Sequence, residues 1–499
     1  MPRVTDAFPA TLQELPAWLL RAEGFSSVLD SLKRGQAATV DGAWNSSAAL
    51  TAATLGREAP AGALIVLAHY RDLDGWFEDL LSFTGERPVV FPAWDALPSA
   101  DTVLDEIGGQ RLRLLRQLES DHPPRILLAT FQALLQPVPD RTQLQTQRRR
   151  LKVGQEVLLE GLIAWLVEHG YQRMEAIEIP GEFSRRGGIL DVFSPDAEAP
   201  YRVEFVGDEI ESIRQFSVET QRSLGELQAI ELATQHATAL AFTGHLCDYL
   251  PPGTWTVLIE PSELAEQGKY FLERIADTTG LFSIPPVFQK LVSFPSVHVS
   301  ALPSSSLDTT CHLRVESVER FSGDVRKIKE ELDTAAARDS VLIACHNDAE
   351  KKRLGDVLAD SALAREGRLQ LTVGHVRAGF RLLFSRAPEG SGDGALGKDT
   401  ATENGVSTPP ATCTTLLARA RMKNTSWLMN TSVPSNCFSA SISASMLPMS
   451  RCVVGSSISS RFGGSSSSLT SASRLFSPPL STATFLNTES PENRNEPSS

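Results

Sequence analysis

Three short apolar runs, spaced by segments of helical period, constrain this chain more than any other feature. Ala63-Leu-Ile-Val-Leu-Ala-His69, Pro88-Val-Val-Phe91 and Arg125-Ile-Leu-Leu-Ala-Thr130 have strand length and show no polar alternation. A strand wetted on one face alternates, whereas a continuous apolar run has both faces covered. Between the last two runs, Glu106 to Gln117 carries Ile107, Leu112 and Leu115 at helical spacing, with Arg111, Arg113 and Arg116. Buried strands alternating with helices predict a parallel α/β sheet. Glu156 to Gly170 predicts another helix, with Leu158, Leu159, Leu162, Ile163, Leu166 and Val167 on its apolar stripe and Gly170 as its cap.

After that helix the period changes. Ile177 and Ile179 flank Glu178 in strand-like alternation, and Gly187 to Phe193 and Tyr201 to Phe205 follow, with turns at Pro180-Gly181 and Ser194-Pro195-Asp196. This predicts a compact β-rich module attached to the α/β part. Further on, a helix over Val325 to Ala337, a strand over Ser340 to Cys345 and a helix over Ala349 to Leu358 predict one more α/β unit. Past Arg386 the composition breaks. No acidic residue occurs between Glu403 and Glu489, and Ser, Thr, Asn and Pro dominate. Such a stretch buries too little to offset its ordering entropy, which predicts a disordered tail. Its origin is either a natural tail or a lost reading frame, and the abruptness of the change favours the second.

The remaining chemistry is mostly exclusion. A net charge of −13 argues against coating nucleic acid by bulk electrostatics. The six cysteines form no Cys-x-x-Cys, as expected of a reducing compartment. No signal-peptide pattern and no membrane-length apolar run occurs, so the expectation is a soluble, cytoplasmic chain. A phosphate-binding loop needs glycines, a Lys and a hydroxyl at fixed spacing. Val40-Asp-Gly-Ala-Trp-Asn-Ser-Ser-Ala-Ala49 precedes the first long strand and keeps Gly42 but has no Lys. Gly392-Asp-Gly-Ala-Leu-Gly-Lys-Asp399 puts a carboxylate where the magnesium hydroxyl belongs. Cys311-His312 and Cys345-His346 are adjacent pairs, without the spacing of metal ligands on a helix. No nucleophile elbow is present, and no catalytic residue, metal or cofactor is expected.

The densest signal runs from Gly170 to Arg222. Gly181-Glu-Phe, then Arg186-Gly-Gly-Ile-Leu-Asp-Val-Phe193, then Phe205-Val-Gly-Asp-Glu-Ile-Glu-Ser-Ile-Arg214 stand in order. This resembles the UvrB-homology module of the bacterial transcription-repair coupling factors (Mfd). Phe91-Pro-Ala-Trp-Asp-Ala-Leu-Pro98 and Gly374-His-Val-Arg-Ala-Gly-Phe380 extend the resemblance over roughly residues 20–382. UvrB itself is less similar, because it keeps an intact phosphate loop. The resemblance implies a degenerate helicase-like α/β domain over residues 1–147 and 234–312, and a UvrA-binding insert over residues 148–233. A small α/β domain over residues 313–382 and a low-complexity tail over residues 383–499 complete the expected organisation. It implies an adaptor that recruits UvrA to stalled RNA polymerase. The polymerase-interacting and DNA-translocating parts of the family are expected to be missing from this chain. Two alternatives remain at this point: a UvrB-like damage-binding subunit, and a translocase whose motor is encoded in another frame.

Alternation along Tyr201, Val203 and Phe205 predicts a buried face, with Arg202, Glu204 and Val206 outward. Arg186, next to Gly187, is expected to reach solvent. Exposed arginines are multidentate anchors for carboxylates. By resemblance, Arg186, Arg202 and Val206 match the positions the family uses against UvrA, with Val206 where an aromatic is common. Arg214 and Arg222 are secondary candidates, while Asp191 and Phe193 are expected to be structural.

Overall fold

The computed structural model describes residues 8–95, 106–234, 242–303, 309–318, 328–336, 339–384, 413–420 and 452–453. The chain divides into Met1–Ser457 and Ile458–Ser499, and the second unit lies wholly outside the described residues. Four strands come first: β1 (Ala38–Asp41), β2 (Ala63–Leu67), β3 (Val89–Phe91) and β4 (Ile126–Thr130). Eight follow in the β-rich module: β5 (Arg148–Lys152), β6 (Gln172–Arg173), β7 (Glu182–Arg186), β8 (Ile189–Val192), β9 (Tyr201–Val206), β10 (Glu209–Phe216), β11 (Ser223–Glu226) and β12 (Ala229–Ala233). The chain then returns with β13 (Trp255–Ile259), β14 (Ser296–Ser300) and β15 (Thr310–His312).

Strands β1–β4 and β13–β15 form one seven-stranded sheet, ordered β15-β1-β14-β13-β2-β4-β3, with every pairing parallel. The apolar runs explain themselves here. Ala63, Ile65 and Leu67 of β2 join the core under the helices Phe25–Lys33, Asn45–Glu58 and Leu73–Thr84. Leu64 and Val66 join the opposite core, under Glu106–Leu118, Pro261–Arg274 and Ile284–Val292. Successive side chains point to opposite faces, so a strand covered on both sides must be apolar throughout.

The module between β4 and β13 is a second sheet, ordered β11-β10-β9-β8-β7-β6 and antiparallel except at β6-β7, with β5 and β12 pairing beside it. The helix Leu159–Glu168 covers one face through Leu162 and Leu166, and Gly170 ends it at φ +89°. The apolar stripe is narrower than the spacing suggests: Leu158 and Val167 are 68% and 57% exposed. Ile177 and Ile179 form no strand. The Glu182 carboxylate accepts from the backbone N–H of Glu178 (2.6 Å) and of Ile179 (3.1 Å), bending the chain so that Ile177 is buried and Ile179 is not. The module is seated closely on the first sheet's layer. A Cβ on Gly109, inside the helix Glu106–Leu118, would stand 2.4 Å from the Pro195 carbonyl oxygen.

A third sheet is built from β16 (Val315–Glu316), β17 (Ser340–Cys345), β18 (Leu369–Val373), β19 (Phe380–Phe384), β20 (Cys413–Ala420) and β21 (Cys452–Val453). Its order is β16-β19-β20-β17-β18, with β21 on β20. Strands β20 and β21 lie within the stretch expected to be a disordered tail. Cys413-Thr-Thr-Leu-Leu-Ala-Arg-Ala420 combines β-branched and apolar residues at strand length, a local signal that the averaged composition hides. The rest of the expected tail lies outside the described residues. Leu342 and Ala344 of β17, with Val376, Phe380 and Leu382, belong to the same core cluster as β1 and β2.

Candidate functional site

Two places deserve comparison as sites. The first is the turn after β1, the expected remnant of a phosphate loop. Gly42 sits at φ +79°, and a Cβ there would stand 2.1 Å from the Leu313 carbonyl oxygen. An electronegative oxygen therefore abuts the turn where a phosphate loop offers N–H donors. The start of the helix Asn45–Glu58 is also engaged. Ser46 Oγ donates to Asp79 Oδ2 (2.7 Å) and accepts from Ala378 N–H (2.9 Å). Asp79 Oδ1 accepts from Arg377 N–H (2.7 Å), and Ser82 Oγ from His375 N–H (2.8 Å). The segment Gly374–Phe380 is thus bound over this end of the first sheet's helices. Gly392–Asp399 lies outside the described residues.

The cysteine pairs serve as packing. Cys345 ends β17 in a buried position, and burial pushes its thiol pKa up to about 12. Cys311 is buried, its thiol raised to about 11 for the same reason, and Sγ donates to the Glu23 carbonyl (3.3 Å). Among the described residues, no group of three or more His, Cys, Asp or Glu is placed to hold a metal ion.

The second place is the outward face of the β-rich sheet. Tyr201, Val203 and Phe205 are buried against the helix side, while Val206 is 63% exposed. Strand register sets the outward face in rows. Ser184, Asp191, Arg202 and Arg214 stand opposite one another across β7 to β10, and Arg186, Ile189, Glu204 and Ser212 form the next row. Arg186 is exposed and donates from Nη2 to the Glu175 carbonyl (3.1 Å). Its neighbour Arg185 points to the helix side and pairs with Glu160.

Arg202 departs from expectation. It is not a free exposed side chain: Nε and Nη2 donate to the two Asp191 carboxylate oxygens at 2.7 and 2.8 Å. Its guanidinium carbon lies 4.5 Å from the Phe216 ring centre, and Nη2 also reaches Gln221 Oε1 (3.4 Å). The hydrogen bond to Asp191 raises the Arg202 pKa above the ordinary arginine value. Arg214 is paired with Glu204, whose carboxyl is held below the usual range by the Ser212 hydroxyl first and by Arg214 next. Arg222 is exposed at the start of the edge strand β11, and Phe193 is buried, as structural residues are. Asp191, expected to be structural, has a partner in Arg202 that residue-by-residue reading misses. It alternates with buried Leu190 and Val192, so an outward position was readable, but its arginine partner depends on register.

Comparison with known proteins falls on this module. Residues 150–237 match the family model described as the UvrB interaction domain. A transcription-repair-coupling factor of Mycobacterium tuberculosis is 37% identical over 190 residues, 36% of this chain and 15% of that protein. That of Bacillus subtilis is 26% identical over 224 residues (44% and 19%), and that of Escherichia coli 31% over 160 residues (32% and 14%). The matched part of this chain spans less than a fifth of each of these relatives. No helix among the described residues is long and apolar enough to cross a membrane. The stretch that holds the six-stranded sheet and its paired arginines is therefore similar to the UvrB interaction domain, within a segment similar to the transcription-repair-coupling factors.

Proposed function

We propose that this chain is an adaptor of transcription-coupled repair whose β-rich module recruits UvrA by its outward face, in the manner of the UvrA-recruiting part of a coupling factor. The observation that carries the reading is the coincidence of the UvrB interaction domain with the one-sided sheet that presents Arg186, Arg202 and Val206. Contact with RNA polymerase and DNA translocation belong, in this reading, to portions of the relatives that this chain does not match. The chain itself does no nucleotide chemistry. The Leu313 carbonyl at Gly42, and the amide of Ala378 already bound to Ser46 at the start of the helix Asn45–Glu58, support that assignment.

The test is calorimetric titration of the full chain with purified UvrA, with and without ATP and magnesium in the cell. The expected outcome is saturable binding that nucleotide added to the chain does not alter. Arg186→Ala/Arg202→Ala should weaken it by at least about 30-fold, since central interface arginines typically cost about 2 kcal/mol or more on truncation. Thermal unfolding of the variant separates a lost contact from a lost fold. An unchanged affinity in the folded double variant would return both arginines to the solvation of a sheet face.

A further inference from the structure

We infer that Asp191 is the positioning residue of this face, holding Arg202 as a rigid, charge-compensated hydrogen-bond donor and leaving Arg186 to meet the partner's carboxylate. This rests on the reading that the outward face binds UvrA.

The two arginines stand on one face but in different electrostatic states. Arg202 is fixed from three sides: Asp191 takes Nε and Nη2, the Phe216 ring lies beneath the guanidinium plane, and Gln221 approaches from the loop after β10. Gln221 holds a left-handed conformation (φ +56°), and its side-chain amide donates to the Val218 carbonyl (2.9 Å), so the loop's own geometry sets that approach. Both paired side chains are largely covered, Arg202 at 23% and Asp191 at 10% exposure. A bidentate pair of this kind is directional and locks the guanidinium plane. Nη1 of Arg202 carries no hydrogen bond among the described residues, which leaves one end of the fork for a partner's carbonyl or hydroxyl.

The charges follow the same division. Asp191 cancels Arg202 at contact distance, and Glu204 cancels Arg214 in the adjacent register position. Arg186 has only a neutral carbonyl as its hydrogen-bond acceptor, and no carboxylate lies within ion-pair distance of it among the described residues. A partner's anion therefore meets uncompensated positive charge at Arg186 and a neutral, preorganised donor at Arg202. Preorganisation reduces the ordering cost of binding, which is the means by which Asp191 contributes without touching the partner.

The experiment reads affinity for UvrA as salt is raised from about 50 to about 500 mM, where screening weakens only interactions with uncompensated charge. Wild type, Arg186→Gln, Arg202→Gln/Asp191→Asn and Asp191→Asn are compared as full chains. Arg186→Gln should flatten the salt dependence. Arg202→Gln/Asp191→Asn, which removes both charges of the pair, should weaken binding while leaving the slope unchanged. Asp191→Asn should weaken binding at high salt by about tenfold yet steepen the slope, because the charge of Arg202 is unmasked. A merely structural aspartate would lower affinity and stability without steepening the slope. A flattened slope in Arg202→Gln/Asp191→Asn equal to that of Arg186→Gln overturns the inference, even if Asp191→Asn alone does not fold. So does a folded Asp191→Asn variant with wild-type affinity and slope. No binding by the wild type would instead overturn the reading beneath it, and the inference with it.

Discussion

The seven-stranded and six-stranded sheets solve opposite problems with the same side-chain period of two. In the first, Ile65 and Leu64 are both fully buried, on opposite faces, so the middle of the sheet is covered on both sides. In the second, Val203 is buried while Arg202 and Glu204 on either side of it are not, so one face is core and the other is available. The proposed recognition face therefore lies on the sheet that is cheaper to modify. An exposed outward position there, such as Val206, can change without meeting packing, whereas a change at Leu64 or Ile65 meets a core.

The largest expected effects test whether the two sheets are separate cooperative blocks. Phe131→Ala, beneath the parallel sheet, and Phe183→Ala, inside the β-rich module, each remove a fully buried ring. Each should cost about 3–5 kcal/mol. Hydrogen exchange should show lost protection confined to the module for Phe183→Ala and spread over the seven-stranded sheet for Phe131→Ala. Equal loss in both regions from either variant would merge them into one block.

Next in size is a pH effect that belongs to the closed region. His245 is fully buried; its Nδ1 accepts from Cys247 N–H (3.1 Å), and burial lowers its pKa to about 4. Because the folded pKa lies below the ordinary value of 6.5, the folded chain stays unprotonated while the unfolded chain takes up a proton. Stability is fully present above about pH 6.5 and is lost as pH falls toward about 4, by on the order of 3 kcal/mol. Denaturant unfolding at a series of pH values should show this loss in the wild type and a smaller one in His245→Asn.

A smaller effect concerns the joint between the sheets. Gly109→Ala places a methyl against the Pro195 carbonyl, a backbone atom that cannot rotate away. The expected cost is about 1–3 kcal/mol, despite the better helix propensity of Ala, and limited proteolysis should then release the β-rich module sooner. The smallest effect sharpens the contrast from the open side. Val206→Ala should shift stability by no more than about 0.5 kcal/mol, and any larger change in UvrA affinity would mark Val206 as a contact.

Much of the scaffold was legible because both sheets state their environment in side-chain order. The unbroken run at Ala63–Leu67 announces two covered faces, and Tyr201–Val206 announces one. What stayed hidden depends on distance along the chain. Asp191 and Arg202 are opposite only because β8 and β9 pair in one register across the intervening loop, which no tight turn dictates. Ile179 misled because the Glu182 carboxylate bends a segment whose pattern alone is strand-like. Strand β20 was submerged in the composition around it. The family resemblance pointed to the proposed binding face, but the pairing that divides Arg202 from Arg186 is visible only in three dimensions.

The hydrogen bonds that fasten Gly374–Phe380 also set a timetable. Asp79 and Ser46 receive their amide partners from residues 298 and 332 positions downstream. At about 5–20 residues per second of synthesis, those amides leave the ribosome roughly 15–60 s after Asp79 does. Throughout that interval the Asp79 carboxylate lacks these partners, so this end of the amino-terminal layer closes late, and a nascent chain paused before residue 374 should hold Asp79 open to solvent.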